Sequence, residues 1–332
     1  MFPGLTDQVI TPETRARLEA AVDLISPTAF ASPDELMGDP DGDPTRSRVG
    51  TVEVLITGWG CPRLDGRALD AFPALRLVAH AAGTVRPLVS EALWDRGVVV
   101  TSAAAANAVP VAEFTFAAIV MVLKDVFTVR ERHRTVRGRE PVVDHTRMGT
   151  LGRTIGIVGA SMIGRLVLER LRTLDVDVVV ADPHLGDEEA ADLDVRRVEL
   201  DDLLAMSDVV SLHAPLLDST RHMIGTDQLA RMRDGAWLIN TARGGLVDTD
   251  ALTAEVASGR LRTFVDTPDP EPLPVDSPLY DLEGAVLTPH IAGSLGTEVA
   301  RMGDLAVTEV ERFVAGQPPR HPVVRADMDR IA

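Results

Sequence analysis

Cysteine, aromatic residues and positive charge are all scarce in this chain. A single cysteine, Cys61, excludes an internal disulfide and suits a reducing cytoplasm, the compartment expected here. Cys61 itself reads as a small turn or core residue rather than a reactive thiol. Aromatics make up only 4% of 332 residues, so the core has to be aliphatic. Lys and Arg total 33 against 50 acidic residues, a formal net charge of -17. That balance argues against nucleic acid as a partner, and any anionic ligand has to be drawn in by local cations. No uncharged apolar run reaches membrane length, so no membrane partner is expected. The start, Met1-Phe-Pro-Gly-Leu-Thr-Asp7, lacks a basic region followed by an apolar stretch, so no secretory signal is expected either. His, Cys, Asp and Glu nowhere fall at metal-ligand spacing, and no metal is expected.

What is there is long enough for two full cores. A polar loop, Asp39-Pro-Asp-Gly-Asp-Pro-Thr45, separates a first helix from an apolar run at Val52 to Thr57. Further runs at Leu75 to Ala79 and Val98 to Thr101 predict a small parallel sheet in the first hundred residues. Pro110 is a good helix opener, and the spacing predicts one long helix from Val111 to about Val136. Apolar strands then recur at Thr154, Val176, Asp208, Ala236, Thr263 and Ala285, each separated by helix or loop. This is the doubly wound α/β pattern, which puts sites at the carboxyl ends of strands.

One such end carries a nucleotide signature. Thr154-Ile-Gly-Ile-Val-Gly159 reads as a buried strand, and Arg165 to Arg172 has apolar residues at helical spacing. Between them the pattern Gly-x-Gly-x-x-Gly is met by Gly159 and Gly164 but has Ser161 where the second glycine lets backbone approach a pyrophosphate. The turn comprises Gly159, Ser161, Met162, Ile163 and Gly164. A second buried strand, Val176 to Asp182, ends on an acid about 20 residues further on, where a carboxylate can take a ribose hydroxyl. Asp182 favours NAD over NADP, because a 2'-phosphate would meet a like charge. The Ser161 hydroxyl can hydrogen-bond a phosphate oxygen, so NAD binding is expected with somewhat altered fit.

Three phrases in the last third supply a cation, a carboxylate and an imidazole: Asn240-Thr-Ala-Arg-Gly-Gly245, Asp266-Thr-Pro-Asp-Pro-Glu-Pro272 and Thr288-Pro-His-Ile-Ala-Gly293. Arg243 can grip a carboxylate with two parallel hydrogen bonds. His290 can give or take a proton on a reacting oxygen, and a carboxylate can hold that histidine in its charged form. Together they can reduce a 2-keto acid.

These motifs, with Val54 to Gly60, Leu75 to Val85, Asn107 to Glu113 and Asp208 to Pro215, occur in an order that resembles the D-isomer-specific 2-hydroxyacid dehydrogenases. The resemblance implies two Rossmann-like or flavodoxin-like domains with parallel sheets and an active-site cleft between them. The substrate domain would be discontinuous, residues 1–108 and 294–332, with the NAD-binding domain at 109–293. The last helix, from about Ser294, would pack back on the first domain. It carries the catalytic roles onto Arg243, Asp269 and His290. Cofactor contacts fall on the turn and Asp182, and on His213, Ala214, Pro215, Thr220, Thr241, Asp266 and Gly293. His290, Arg243, the backbone of Gly83 and Thr84, and His80 would meet a small anionic 2-keto or 2-hydroxy acid. The family's dimerisation through its nucleotide domain implies a homodimer.

The family usually has Glu at the His-partner position. Alignment by prolines puts Asp269 there, one methylene shorter; Glu271 could serve if the loop were displaced by two residues. Phosphite oxidation by the same scaffold is an alternative, as is a non-catalytic NADH-sensing regulator. The formate branch, which carries Gln at the partner position, is disfavoured by the acid. Thr128 to Arg139 is rich in arginine and reads as a solvated helix face, with a cationic rim or a reach into a partner subunit as alternatives. His133, His145, His184 and His222 read as surface or turn residues. His80 could line the substrate pocket or serve as a hydrogen-bonded structural histidine. Arg86, where the family commonly has Asp, reads as a surface arginine, or else as a reader of a second negative group on the substrate.

Overall fold

The computed structural model describes residues 4–26, 29–31, 35, 45–138 and 148–328. Residues 39–44 of the polar loop, Arg139 and His145 lie outside these. The chain divides into two compact units, Met1–Ala108 with Ser294–Ala332, and Val109–Gly293.

In the first unit, β1 (Val54–Thr57), β2 (Leu77–His80) and β3 (Val99–Ser102) form a parallel sheet, and β11 (Pro322–Val323) adds antiparallel to β3. The short terminal strand was not expected from the sequence, because two residues carry no periodic signal. Strand alternation sorts side chains onto two faces. Leu77 and Ala79 join one cluster with Val9, Leu18, Val307 and Val310, while Val78 and Val100 join another with Leu64, Leu69 and Phe72. The first face is covered by α1 (Thr6–Val9), α2 (Pro12–Ala21) and α12 (Val299–Val314). Helix α2 starts where Thr11 accepts from the Thr14 N–H and Pro12 supplies a preset φ. Helices α3 (Gly66–Ala71) and α4 (Glu91–Asp95) bring Leu69 and Leu93 to the second face.

The second unit is a seven-stranded, all-parallel sheet in the order β10-β9-β8-β7-β4-β5-β6. The strands are β4 (Arg153–Val158), β5 (Val176–Ala181), β6 (Arg196–Arg197), β7 (Val209–Leu212), β8 (Trp237–Asn240), β9 (Arg262–Val265) and β10 (Ala285–Leu287). Both faces are covered, which is why the central strands read as continuous apolar runs. Ile155, Ile157, Val180, Ile239 and Phe264 point to one face; Val158, Val179, Val210, Leu238 and Val265 point to the other. Helices α7 (Met162–Leu171), α8 (Asp187–Asp192), α9 (Leu200–Met206), α10 (Thr226–Arg231) and α11 (Thr249–Ala257) form the connections. Strand order reverses between β4 and β7, and the loops leaving these two strands flank the crevice where such sheets bind ligands.

The single helix expected from Val111 is two. Helix α5 (Ala104–Leu123) begins earlier and runs through Pro110. Alanines at 104, 105 and 106 favour helix strongly enough to outweigh one missing N–H, and the Ala103 carbonyl accepts from the N–H groups of Ala106 and Asn107. Helix α6 (Val126–Val136) follows a break at Asp125, whose φ of 51° is left-handed and whose carboxylate takes Arg262 at 2.7 Å. Helix α5 is long and apolar enough to cross a membrane by length and composition. It is instead a core helix: Ala112, Ala118, Ile119 and Val122 pack with Ile155, Ile157 and Phe264.

Candidate active site

The turn after β4 is shaped by its two glycines. Gly159 has φ +97°, and a Cβ there would lie 2.7 Å from the Ala214 N–H nitrogen; one on Gly164 would lie 2.2 Å from the Gly159 carbonyl oxygen. Strand, helix α7 and the end of β7 therefore meet only because both side chains are absent. Ser161 is the N-cap residue of α7 and leaves the first N–H groups of the helix without a side-chain cap. Its hydroxyl donates to the His213 carbonyl at 2.8 Å. The hydroxyl expected to donate to a phosphate is thus engaged in holding the turn against β7. Met162 is half-exposed at the helix start and Ile163 packs partly into the core.

Asp182 follows β5 and accepts the Ala160 N–H at 2.7 Å and the His184 N–H at 2.7 Å, one on each oxygen. It braces the turn while each oxygen keeps a lone pair for a hydroxyl. His213 follows β7 and is 4% exposed. One ring nitrogen meets the Ser211 hydroxyl at 2.9 Å; the other, Nδ1, is buried without a partner. Burial pushes its pKa down to about 3, so the ring is neutral. Beyond Ala214 and Pro215, the Thr220 hydroxyl donates to the Pro215 carbonyl at 2.6 Å and accepts the Leu217 N–H at 2.8 Å, which closes that loop on itself.

The His290 loop is organised by Asp266. This carboxylate is wholly buried, and it accepts from the Thr288 hydroxyl at 2.6 Å, the Ile291 N–H at 2.8 Å and the Ala292 N–H at 2.9 Å. Its own carbonyl accepts the His290 N–H at 2.9 Å. Expected beside the cofactor, Asp266 has its side chain committed to the loop that presents the histidine and that ends in Gly293. His290 itself is exposed, with φ +55°.

The partner of His290 is Glu271. Nδ1 lies 2.6 Å from its Oε1, whereas Asp269 faces Arg221 at 3.6 Å. The expected Asp269–His290 pair is therefore corrected to Glu271, and with it the one-methylene deficit disappears. The reason is loop path. Gly244 packs so closely on the loop that a Cβ would sit 2.2 Å from the Pro268 carbonyl, and Thr249 donates to the Asp269 carbonyl at 2.6 Å. The chain at 268–269 is pinned on the Arg243 loop, so its next acid reaches the histidine.

Arg243 follows β8. Asn240 shapes its loop, accepting the Ala242 N–H at 3.1 Å and donating to the Arg243 carbonyl at 2.9 Å. Burial lowers the Arg243 pKa and nearby Glu271 opposes that, and the group stays a cation. The Thr241 hydroxyl is buried against that of Thr115 at 2.7 Å. Arg221 and Thr249 escaped sequence reasoning, since single polar residues outside the three phrases give no periodic signal, and Asn240 and Thr288 stood in those phrases with no role assigned.

In the first unit, His80 ends β2 buried, with Nδ1 2.9 Å from the Thr57 hydroxyl oxygen. Burial lowers its pKa to about 4, against a hydrogen bond to the Thr84 backbone. This geometry is that of a structural histidine. Ser102 donates to the Gly83 carbonyl at 2.5 Å, fixing the loop that holds Thr84. Arg86 donates to the Met328 carbonyl, tying down the carboxyl-terminal segment. Among the described residues no group of His, Cys, Asp and Glu could hold a metal.

Residues 116–292 match the family model described as D-isomer specific 2-hydroxyacid dehydrogenase, NAD binding domain. The chain belongs to that family. A glyoxylate reductase of Korarchaeum cryptofilum is 36% identical over 279 residues, 82% of each chain. A D-3-phosphoglycerate dehydrogenase of Archaeoglobus fulgidus is 30% identical over 79% of this chain, which spans 49% of that relative's length. Among solved structures, a phosphoglycerate oxidoreductase from Rhizobium etli superposes with a TM-score of 0.78 at 25% identity, covering 97% of this chain and 96% of that one. The cofactor of this family member is NAD. The residues fit it: the uncapped start of α7 suits a pyrophosphate, Asp182 suits a ribose, and the neutral His213 brings no charge to the turn.

Proposed function

We propose that this chain interconverts a 2-keto acid and a D-2-hydroxy acid. The observation that carries the reading is the 2.6 Å pair of His290 Nδ1 with Glu271, on a loop braced by buried Asp266. With Nδ1 committed to the carboxylate, Nε2 is the nitrogen left to meet a substrate oxygen. In reduction, protonated His290 donates from Nε2 to the carbonyl oxygen as negative charge develops there, and in oxidation it accepts that proton. Glu271, held at Nδ1, fixes which nitrogen faces substrate. Arg243 grips the carboxylate through its guanidinium fork and so orients the 2-carbon. When bound, NAD supplies or accepts the hydride at that carbon. Gly83 and Thr84 are proposed as backbone donors to substrate.

NADH oxidation measured against a panel of 2-keto acids, phosphorylated and phosphonate ones included, tests this reading. Turnover of at least one 2-keto acid is expected. Binding of NADH with no turnover of any would leave the regulatory reading instead, and oxidation of phosphite alone would reassign the substrate. We also propose a homodimer formed through the second unit, on the family resemblance alone. Light scattering that returns the mass of one chain would remove that part.

A further inference from the structure

The three parallel strands of the first unit each end on a buried polar residue. Thr57, His80 and Ser102 close β1, β2 and β3 side by side in the sheet register. Buried polar groups cost free energy unless they are hydrogen-bonded, so the partners of this row show what it holds. The Ser102 hydroxyl donates to the Gly83 carbonyl at 2.5 Å, lies 3.3 Å from the Ala82 carbonyl oxygen and accepts the Ala104 N–H at 3.0 Å. The Ala82 carbonyl also accepts the Ala103 N–H at 3.0 Å. From the other side His80, whose Nδ1 meets the Thr57 hydroxyl, hydrogen-bonds the Thr84 backbone.

In a trans peptide the carbonyl and the following N–H point in opposite directions. Holding the Ala82 and Gly83 carbonyls toward the end of β3 therefore turns the N–H groups of Gly83 and Thr84 away from it. Among the described residues neither N–H has a protein acceptor, and both residues are half-buried. Successive backbone N–H groups in fixed planes are a donor set suited to an anion such as a carboxylate. We propose that Ser102 is a positioning residue for substrate: its hydroxyl fixes the two peptide planes that present the Gly83 and Thr84 N–H groups, and the Thr57–His80 pair braces the far side of the same loop. The inference rests on the reading above, in which these two backbone groups meet substrate. It gives a role to a row of side chains that act only through the loop they hold.

The test compares Ser102→Ala with Ser102→Thr, which keeps the hydroxyl on a residue suited to a strand. Each is assayed with the 2-keto acid that the wild-type protein reduces fastest in the panel above, and NADH affinity is measured by calorimetry. Ser102→Ala should raise KM about tenfold, the scale of a hydrogen bond to a charged group, with a smaller change in kcat. NADH affinity should stay at the wild-type value, and Ser102→Thr should bring KM back close to it. Thr57→Val, which takes the brace from His80, should raise KM in the same sense and serves if Ser102→Ala does not fold. A wild-type protein that reduces no 2-keto acid would remove the substrate reading and this proposal with it. With turnover established, KM unchanged in Ser102→Ala and Thr57→Val, KM as high in Ser102→Thr as in Ser102→Ala, or an equal loss of NADH affinity would overturn the positioning role alone.

Discussion

His213 and His290 follow two parallel strands of the same sheet, and their surroundings are opposite. His213 is buried, touches one serine hydroxyl and is held neutral by desolvation. His290 stands in solvent with a carboxylate 2.6 Å from Nδ1. The same side chain at the same edge is packed away in one case and, on the proposed reading, carries a proton in the other. A histidine is fitted for proton transfer by what reaches its second nitrogen, and here that is decided by a loop from β9.

The comparison breaks most sharply in the rates. His290→Asn should lower turnover about 10²–10⁴-fold, the usual worth of a general acid or base, and leave NADH affinity nearly unchanged. If a folded His213→Gln lost as much turnover as His290→Asn, the contrast drawn here would fail. Next in size is Arg243→Gln, which should raise KM and lower kcat together, costing about 2–4 kcal/mol in kcat/KM through two charge-assisted hydrogen bonds. A rise in KM alone would mean that Arg243 grips substrate without orienting it.

Glu271→Gln should slow reduction about tenfold, because it removes the carboxylate that orients the ring. Asp269→Asn breaks only an exposed ion pair worth about 0–1 kcal/mol and should change rates no more than a few-fold. The reverse ranking would restore Asp269 as the partner.

Stability should respond to pH as well. His213 and His80 have pKa values depressed to about 3 and about 4. Their contribution is complete above the ordinary value near 6.5 and is lost as pH falls from there toward about 4 and about 3, by about 1.4 kcal/mol per pH unit for each. Urea unfolding between pH 7 and 5 should show that slope, flattened in His213→Gln. Ring proton resonances of these two residues that titrate between pH 5 and 8 would refute it.

The sheet of the second unit was legible because strands buried on both faces advertise themselves as apolar runs. Val176 to Ala181 and Thr154 to Val158 needed no tertiary knowledge. The chemistry was legible as far as the three phrases reach, since Arg243 and His290 sit in loops of unusual composition. The identity of the acid was not, because counting prolines assumes that the loop keeps one path. That path is set by Gly244 lying on Pro268 and by the Thr249 hydroxyl holding Asp269, contacts between segments about 20 residues apart in sequence. Pro110 misled for a related reason: a local breaker was outweighed by the alanines before it. Asp266 was placed at a strand end, but its loop-bracing role was not legible, since nothing in its phrase announces three donors arriving from residues 288, 291 and 292.

The left-handed backbone of His290 has a practical bearing on redesign. At φ +55° few side chains other than glycine sit comfortably, and asparagine, aspartate and histidine are the ones met there most often. Installing glutamate, lysine or tyrosine as a substitute proton carrier would add about 1–2 kcal/mol of conformational cost before any reaction began. The fold has thus narrowed the list of usable acids at this position, and asparagine, not alanine, is the substitution that removes the proton while leaving the main chain at ease.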